Sequence, residues 1–111
     1  MGKRPSYHAL LILGSLADAD RHGYAIRKDV AERSGGDVRL GSTTLYRMLG
    51  QLLDEGLIEE ARSRPEPRLD DERRRYFHIT AAGRRELAAE LRRLERVLLA
   101  VRPALAPRGR S

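Results

Sequence analysis

At 111 residues the chain is long enough for one domain with a modest core and too short for two. Charged residues make up 34% and aromatics only 5%, so the expected core is aliphatic and mainly helical. A formal net charge of +6 favours an anionic partner, nucleic acid before membrane, and the lack of cysteine excludes disulfides, thiolate catalysis and cysteine-based zinc sites. Lysine occurs only at Lys3 and Lys28; the remaining positive charge is arginine, which binds phosphate and guanine bidentately, although a biased genomic base composition produces the same excess. No apolar run approaches the ~20 residues of a membrane span. Lys3-Arg4 followed by Ala9 to Ala17 imitates a secretion signal, but the apolar part is short, contains Gly14 and has helical periodicity. Met1-Gly2 to Ser6 fits the loose myristoylation pattern, which is common by accident. A soluble cytoplasmic protein is the expectation.

The first helix is expected to start at Pro5 or Ser6, where proline loses no needed hydrogen bond, with Leu10, Leu11, Leu13, Leu16 and Ala17 on its apolar side. Asp18 to Gly23 reads as its end and a turn. A second helix follows from Tyr24, with Ile26, Val30 and Ala31 inward and Arg27, Lys28, Glu32 and Arg33 outward. Ser34-Gly35-Gly36 ends it, and Val38 and Leu40 in the connection are expected to tuck into the core.

Leu40 to Gly56 organises the chain. Its small residues and hydroxyls suit a helix start, and Gly56 suits a C′ position. Leu45, Met48, Leu49, Leu52 and Leu53 form one apolar stripe, which leaves Thr43, Thr44, Tyr46, Arg47 and Gln51 opposite. Acid appears only at Asp54 and Glu55. A donor-rich, acid-free front half is what a DNA groove accepts, and it also describes many ordinary amphipathic helices.

Leu57 to Ala61 and Arg75 to Thr80 read as two strands, with Phe77 and Ile79 on one face of the second. The charged loop Arg62 to Arg74 between them would make a β-hairpin, and Pro65 and Pro67 keep its tip from extending the strands. Three helices followed by strand, loop and strand is the order of a winged helix-turn-helix. Thr80 is a candidate N-cap for the last helix. Along it Leu87, Leu91, Leu94, Leu98, Val101 and Leu105 repeat by fours and threes, an a/d seam that a lone helix cannot bury. Packing of that seam against a second copy is the favoured reading, packing back on its own domain the other. Pro103 should end or loosen the helix. The fold class is therefore mainly α with a small β-hairpin: residues 1–80 a winged helix-turn-helix, 81–105 a dimerisation helix within the same compact domain, and 106–111 a disordered tail.

Ala9-Leu10-Leu11-Ile12-Leu13 with His22-Gly23-Tyr24-Ala25-Ile26, then Thr44-Leu45-Tyr46, Leu52-Leu53-Asp54-Glu55-Gly56-Leu57-Ile58, and Arg74 to Gly83 form an ordered set. In that order these segments resemble the PadR-type transcriptional regulators. The likeness spans roughly residues 8–100, and the single C-terminal helix is similar to the compact subgroup. It implies a dimeric winged-helix repressor whose third helices enter successive major grooves of a pseudo-palindromic operator. Many members carry Ser-Pro-Gly-Thr-Leu-Tyr-Pro where this chain has Gly41 to Arg47, so no operator sequence carries over. Some compact members hold flat aromatic drugs between tryptophans, and this chain has no tryptophan.

The DNA-binding candidates are Ser42, Thr43, Thr44, Tyr46 and Arg47. Ser42 or Gly41 would place backbone N–H groups against a phosphate at the helix N-terminus, with Arg47 at guanine and Thr43 at a thymine methyl or base edge. The Tyr46 ring has an alternative place between helices. His22 and Tyr24 are expected to cap the second helix and touch the backbone, and Arg68, Arg73 and Arg74 in the wing to meet phosphate or the minor groove. Leu87, Leu91, Leu94, Leu98 and Val101 are the dimerisation candidates. His8, His22 and His78 are scattered, and Asp70-Asp71-Glu72 reads as solvated charge rather than a metal cage, so no enzyme, metal or cofactor is expected. The expected partners are double-stranded DNA and a second copy of the chain, with no membrane; a small-molecule effector has no legible identity. The competing reading is a winged-helix module that binds another protein without reading DNA.

Overall fold

The structure, a computed structural model, describes residues 4–61 and 71–108. Arg68 and the expected wing tip lie outside the described residues, as do Gly109 to Ser111 of the tail. Among the described residues, four helices, α1 (Tyr7–Asp18), α2 (Gly23–Arg33), α3 (Ser42–Asp54) and α4 (Ala81–Val101), are joined by a small sheet of β1 (Arg21–His22), β2 (Ile58–Glu60) and β3 (Tyr76–Ile79). Single 3-10 turns cover Asp71–Arg73 and Arg102–Leu105. The expected hairpin is present as β2 antiparallel to β3, with Ile58 opposite Ile79 and Glu60 opposite Phe77.

The sheet also has a strand that the sequence reading treats as turn alone. Arg21 and His22 pair antiparallel with Phe77 and Tyr76, which puts β3 in the middle of the order β1-β3-β2. Two residues are too few to display an alternating pattern, so β1 exists only because β3 offers it a partner.

Local chemistry explains where the helices begin and end. The Ser6 side chain accepts the Ala9 N–H at 3.1 Å, and His22 Nδ1 accepts the Ala25 N–H at the same distance. After α3, Gly56 takes φ +73°, its N–H bonds Leu53 O, and the Leu57 N–H bonds Leu52 O. These two bonds form a Schellman close, which satisfies carbonyls that the helix end would leave bare. The same pattern closes α2 through Gly35 and Gly36.

The core joins Ile12, Leu13 and Leu16 of α1 to Ile26, Val30, Val38, Leu40, Leu45, Leu49, Leu52, Ile58, Phe77, Ile79 and Leu87. Ile12, absent from the expected apolar side of α1, is fully buried, whereas Leu10 and Leu11 are only partly so. Thr80 caps α4 by accepting the Gly83 N–H at 3.0 Å while donating to Gly56 O at 2.7 Å, and its own N–H reaches Leu57 O at 3.0 Å. Gly83 lies so close to the hairpin that a Cβ there would stand 2.1 Å from Leu57 O. α4 is thus clamped at its first turn. Beyond Glu90 it leaves the core, and every residue but Arg93 is exposed to Val101.

One seam assignment needs correction. Leu87 is 8% exposed and packs in the core of its own chain, so it is not part of a free dimerisation face. The first helical turns must bury something against α1 and the hairpin, and Leu87 is the seam residue within that reach. Leu91, Leu94, Leu98 and Val101 are 43–52% exposed, and Val97 and Leu99 widen the apolar face beyond the seam.

Candidate nucleic-acid interface

α3 starts at Gly41, an N-cap without a side chain, so the hydroxyls expected to cap it remain available for other partners. Ser42, Thr43, Arg47 and Gln51 are exposed and Thr44 is half-buried, while Leu45, Leu49 and Leu52 hold the opposite side in the core. Arg47 has no hydrogen-bond or ion-pair partner among the described residues. A cation without an internal partner, in an acid-free run, is free to meet an external anion.

Tyr46 is tied inward. Its ring meets Phe77 edge-on at 6.3 Å between centroids, and its hydroxyl donates to Glu72 O at 3.5 Å. A Cβ on Gly23 would lie 2.5 Å from that hydroxyl oxygen, which accounts for the glycine between His22 and Tyr24. The half-buried Tyr46 is therefore engaged mainly within its own chain. His22 combines its capping bond with edge-on packing against Tyr76 at 5.2 Å. Tyr24 is 44% exposed and lies between two cations, with the guanidinium carbons of Arg27 and Arg73 at 5.7 and 5.3 Å from its ring centre. Arg73 and Arg74 are exposed at the base of the wing, so the structure brings Tyr24 and Arg73 together beside α3.

The residues that organise this surface include two that the sequence reading placed elsewhere. Glu72, read as solvated charge, is bound bidentately by Arg27, from Nε at 2.5 Å and Nη2 at 3.0 Å. Arg27, read as outward, also donates to Leu40 O at 3.3 Å, and Ser42 Oγ donates to Glu72 at 3.4 Å. One carboxylate thereby ties the wing base to α2 and to the first residue of α3. The Arg27 hydrogen bonds hold the Glu72 carboxyl below the usual glutamate range, and the same pairing raises the Arg27 guanidinium. Nothing in the sequence signals a pair separated by 45 positions. A second clamp closes the hairpin: Arg75 binds Glu60 at 3.2 and 2.9 Å while its guanidinium lies 5.2 Å from the Phe77 ring centre. Hydrogen bonding to Arg75 lowers the Glu60 carboxyl.

Comparison with known proteins agrees with this architecture. Residues 12–89 match the profile of the transcriptional regulator PadR-like family. Over 88 residues the chain is 36% identical to an uncharacterized 37.1 kDa protein in transposon TN4556 of Streptomyces fradiae, covering 79% of this chain but only 23% of that protein. A PadR family transcription regulator from hypervirulent Clostridium difficile is 26% identical with a TM-score of 0.74, covering 91% of this chain and all 100% of that one. Bacillus subtilis PadR in complex with operator DNA is 25% identical with a TM-score of 0.59, covering 74% of this chain and 45% of that one.

Proposed function

We propose, for a chain that belongs to the PadR-like family of transcriptional regulators, that it binds operator DNA as a homodimer and represses transcription. The observation that carries this reading is the exposed start of α3, which has no acid of its own and whose Arg47 has no partner among the described residues, set beside a wing base fixed to it by Glu72. In this reading α3 enters the major groove. Ser42 and the α3 N-terminus meet a phosphate, while Thr43, Thr44 and Arg47 face base edges. Tyr24, His22, Arg73 and Arg74 line the backbone, and Tyr46 completes the surface.

The division of labour follows the expected segments, with residues 1–80 reading DNA and 81–105 carrying the pairing surface, which starts beyond Glu90. The exposed Leu91, Leu94, Leu98 and Val101 support pairing, because a projecting apolar helix face is stable only when covered. Two copies then present two α3 helices to a pseudo-palindromic site. The pairing of Bacillus subtilis PadR with operator DNA supports the same partner here, although the chain spans under half of that protein.

The test is fluorescence anisotropy on duplexes from the gene's own upstream region, at low salt and then with rising salt. Saturable binding that survives excess unrelated DNA is the expected result. No binding at low salt, where phosphate attraction is strongest, would refute DNA reading and leave the protein-interaction module.

A further inference from the structure

On the outer side of α2, an open cleft of about 520 Å³ is bounded by Tyr24, Lys28, Gly35, Gly36, Arg39 and Leu40, among others. Leu40 adjoins Gly41, the N-cap of α3, so the cleft opens next to the start of the groove-reading helix. The cations of α2 are not equivalent. Arg27 also lines the cleft but is committed to Glu72, and Arg33, outside it, to Asp29 at 2.6 Å and Asp18 at 3.1 Å. Lys28 and Arg39 have no hydrogen-bond or ion-pair partner among the described residues, and the lining carboxylate Glu32 pairs with neither of them.

Arg39 is also seated. A Cβ on Gly36 would lie 3.2 Å from its Nη2, so the guanidinium rests against the bare face of that glycine. Gly36 has φ +85°, a conformation that other residues rarely adopt, and it belongs to the close of α2. The turn that ends α2 therefore also makes the shelf on which Arg39 lies, in a cleft that Lys28 and Tyr24 line as well. Two cations without partners among the described residues, on the wall of a concavity with an aromatic side chain beside them, make a receptor for a phosphate group.

We propose that this cleft is a separate anion subsite that seats a phosphodiester of the DNA flanking the segment read by α3, with Lys28 and Arg39 as its cations. The proposal rests on the DNA-binding reading and extends the footprint past the groove.

The test compares wild type with the Lys28→Gln/Arg39→Gln double variant on two duplexes, one with the flanks of the footprinted site and one trimmed to its centre. Each neutralised phosphate contributes about 0.9 to the slope of log K against log salt. Loss of one phosphate in each half-site flattens the slope by about 1.8 on the long duplex and leaves the trimmed one unchanged. Arg33→Gln, which removes a charge paired internally, is the control and should leave the slope unchanged. Thermal unfolding of each variant verifies that these exposed substitutions leave the fold intact. A slope unchanged on the long duplex, or flattened equally on both, overturns the subsite. Inorganic phosphate is titrated in parallel; saturable binding lost in the double variant, with an unaltered DNA slope, would assign the cleft to a free phosphate instead. If wild type binds neither duplex at low salt, the DNA reading itself has failed and the subsite falls with it.

Discussion

Glu72→Gln isolates the link between the wing base and α3. Glutamine keeps the shape and one acceptor but removes the charge that two Arg27 donors share, at 2.5 and 3.0 Å. Hydrogen bonds to a charged partner contribute about 1.5–3 kcal/mol. The two side chains are 27% and 19% exposed, so solvent screening brings the expected loss to about 1–2 kcal/mol. For a domain of this size that lowers the melting temperature by on the order of 5–10 °C. The pH dependence supplies the decisive control. The carboxyl is held below the 4.5 of a free glutamate, so its contribution is complete above that value and disappears as pH falls through the depressed folded value. Urea unfolding of both proteins at equal protomer concentration, from neutral to acid pH, should show the stability gap closing on the acid side. A gap that persists undiminished into strong acid would mean that the charge of Glu72 does not hold the wing base. The DNA readout should move as well: a looser wing base and one acid fewer beside the helix narrow the ratio of specific to nonspecific affinity.

Gly83→Ala should destabilise the protein by about 2 kcal/mol despite the better helix propensity of alanine, because the new methyl meets the Leu57 carbonyl at 2.1 Å and must push α4 off the hairpin. Chemical denaturation measures it, and an equally stable variant would show that the clamp at the first turn of α4 is slack. Leu98→Asp should sediment as a monomer with its helical circular dichroism retained, whereas Leu87→Ala should lose about 2–5 kcal/mol of stability through a cavity in the core. Dimeric Leu98→Asp would refute the exposed face as the pairing surface. Arg47→Ala should abolish discrimination between operator and unrelated DNA while the sedimentation profile stays unchanged; loss of the dimer instead would make Arg47 a structural residue.

Periodicity and end signals in the sequence determined the elements. The stripe from Leu45 to Leu53 predicts α3, and Gly56 predicts its end, because both depend on residues within a few positions of each other. Thr80 as a cap and Phe77 with Ile79 on one face were legible for the same reason. What tertiary structure alone decided is where charges and seam residues find partners. Glu72 and Arg27 lie far apart in the chain, so a carboxylate in an acidic triplet and a guanidinium on a polar helix face look solvated until the fold brings them together. Leu87 and Leu91 obey one repeat, yet only their distance from α1 and the hairpin buries the first and exposes the second. β1 needed a neighbour before it could be a strand. The same holds for the surface that the α3 stripe implies. Its residues were evident from spacing, but the lack of a partner for Arg47 among the described residues, the inward tie of Tyr46 and the cleft of Lys28 and Arg39 follow from contacts in space.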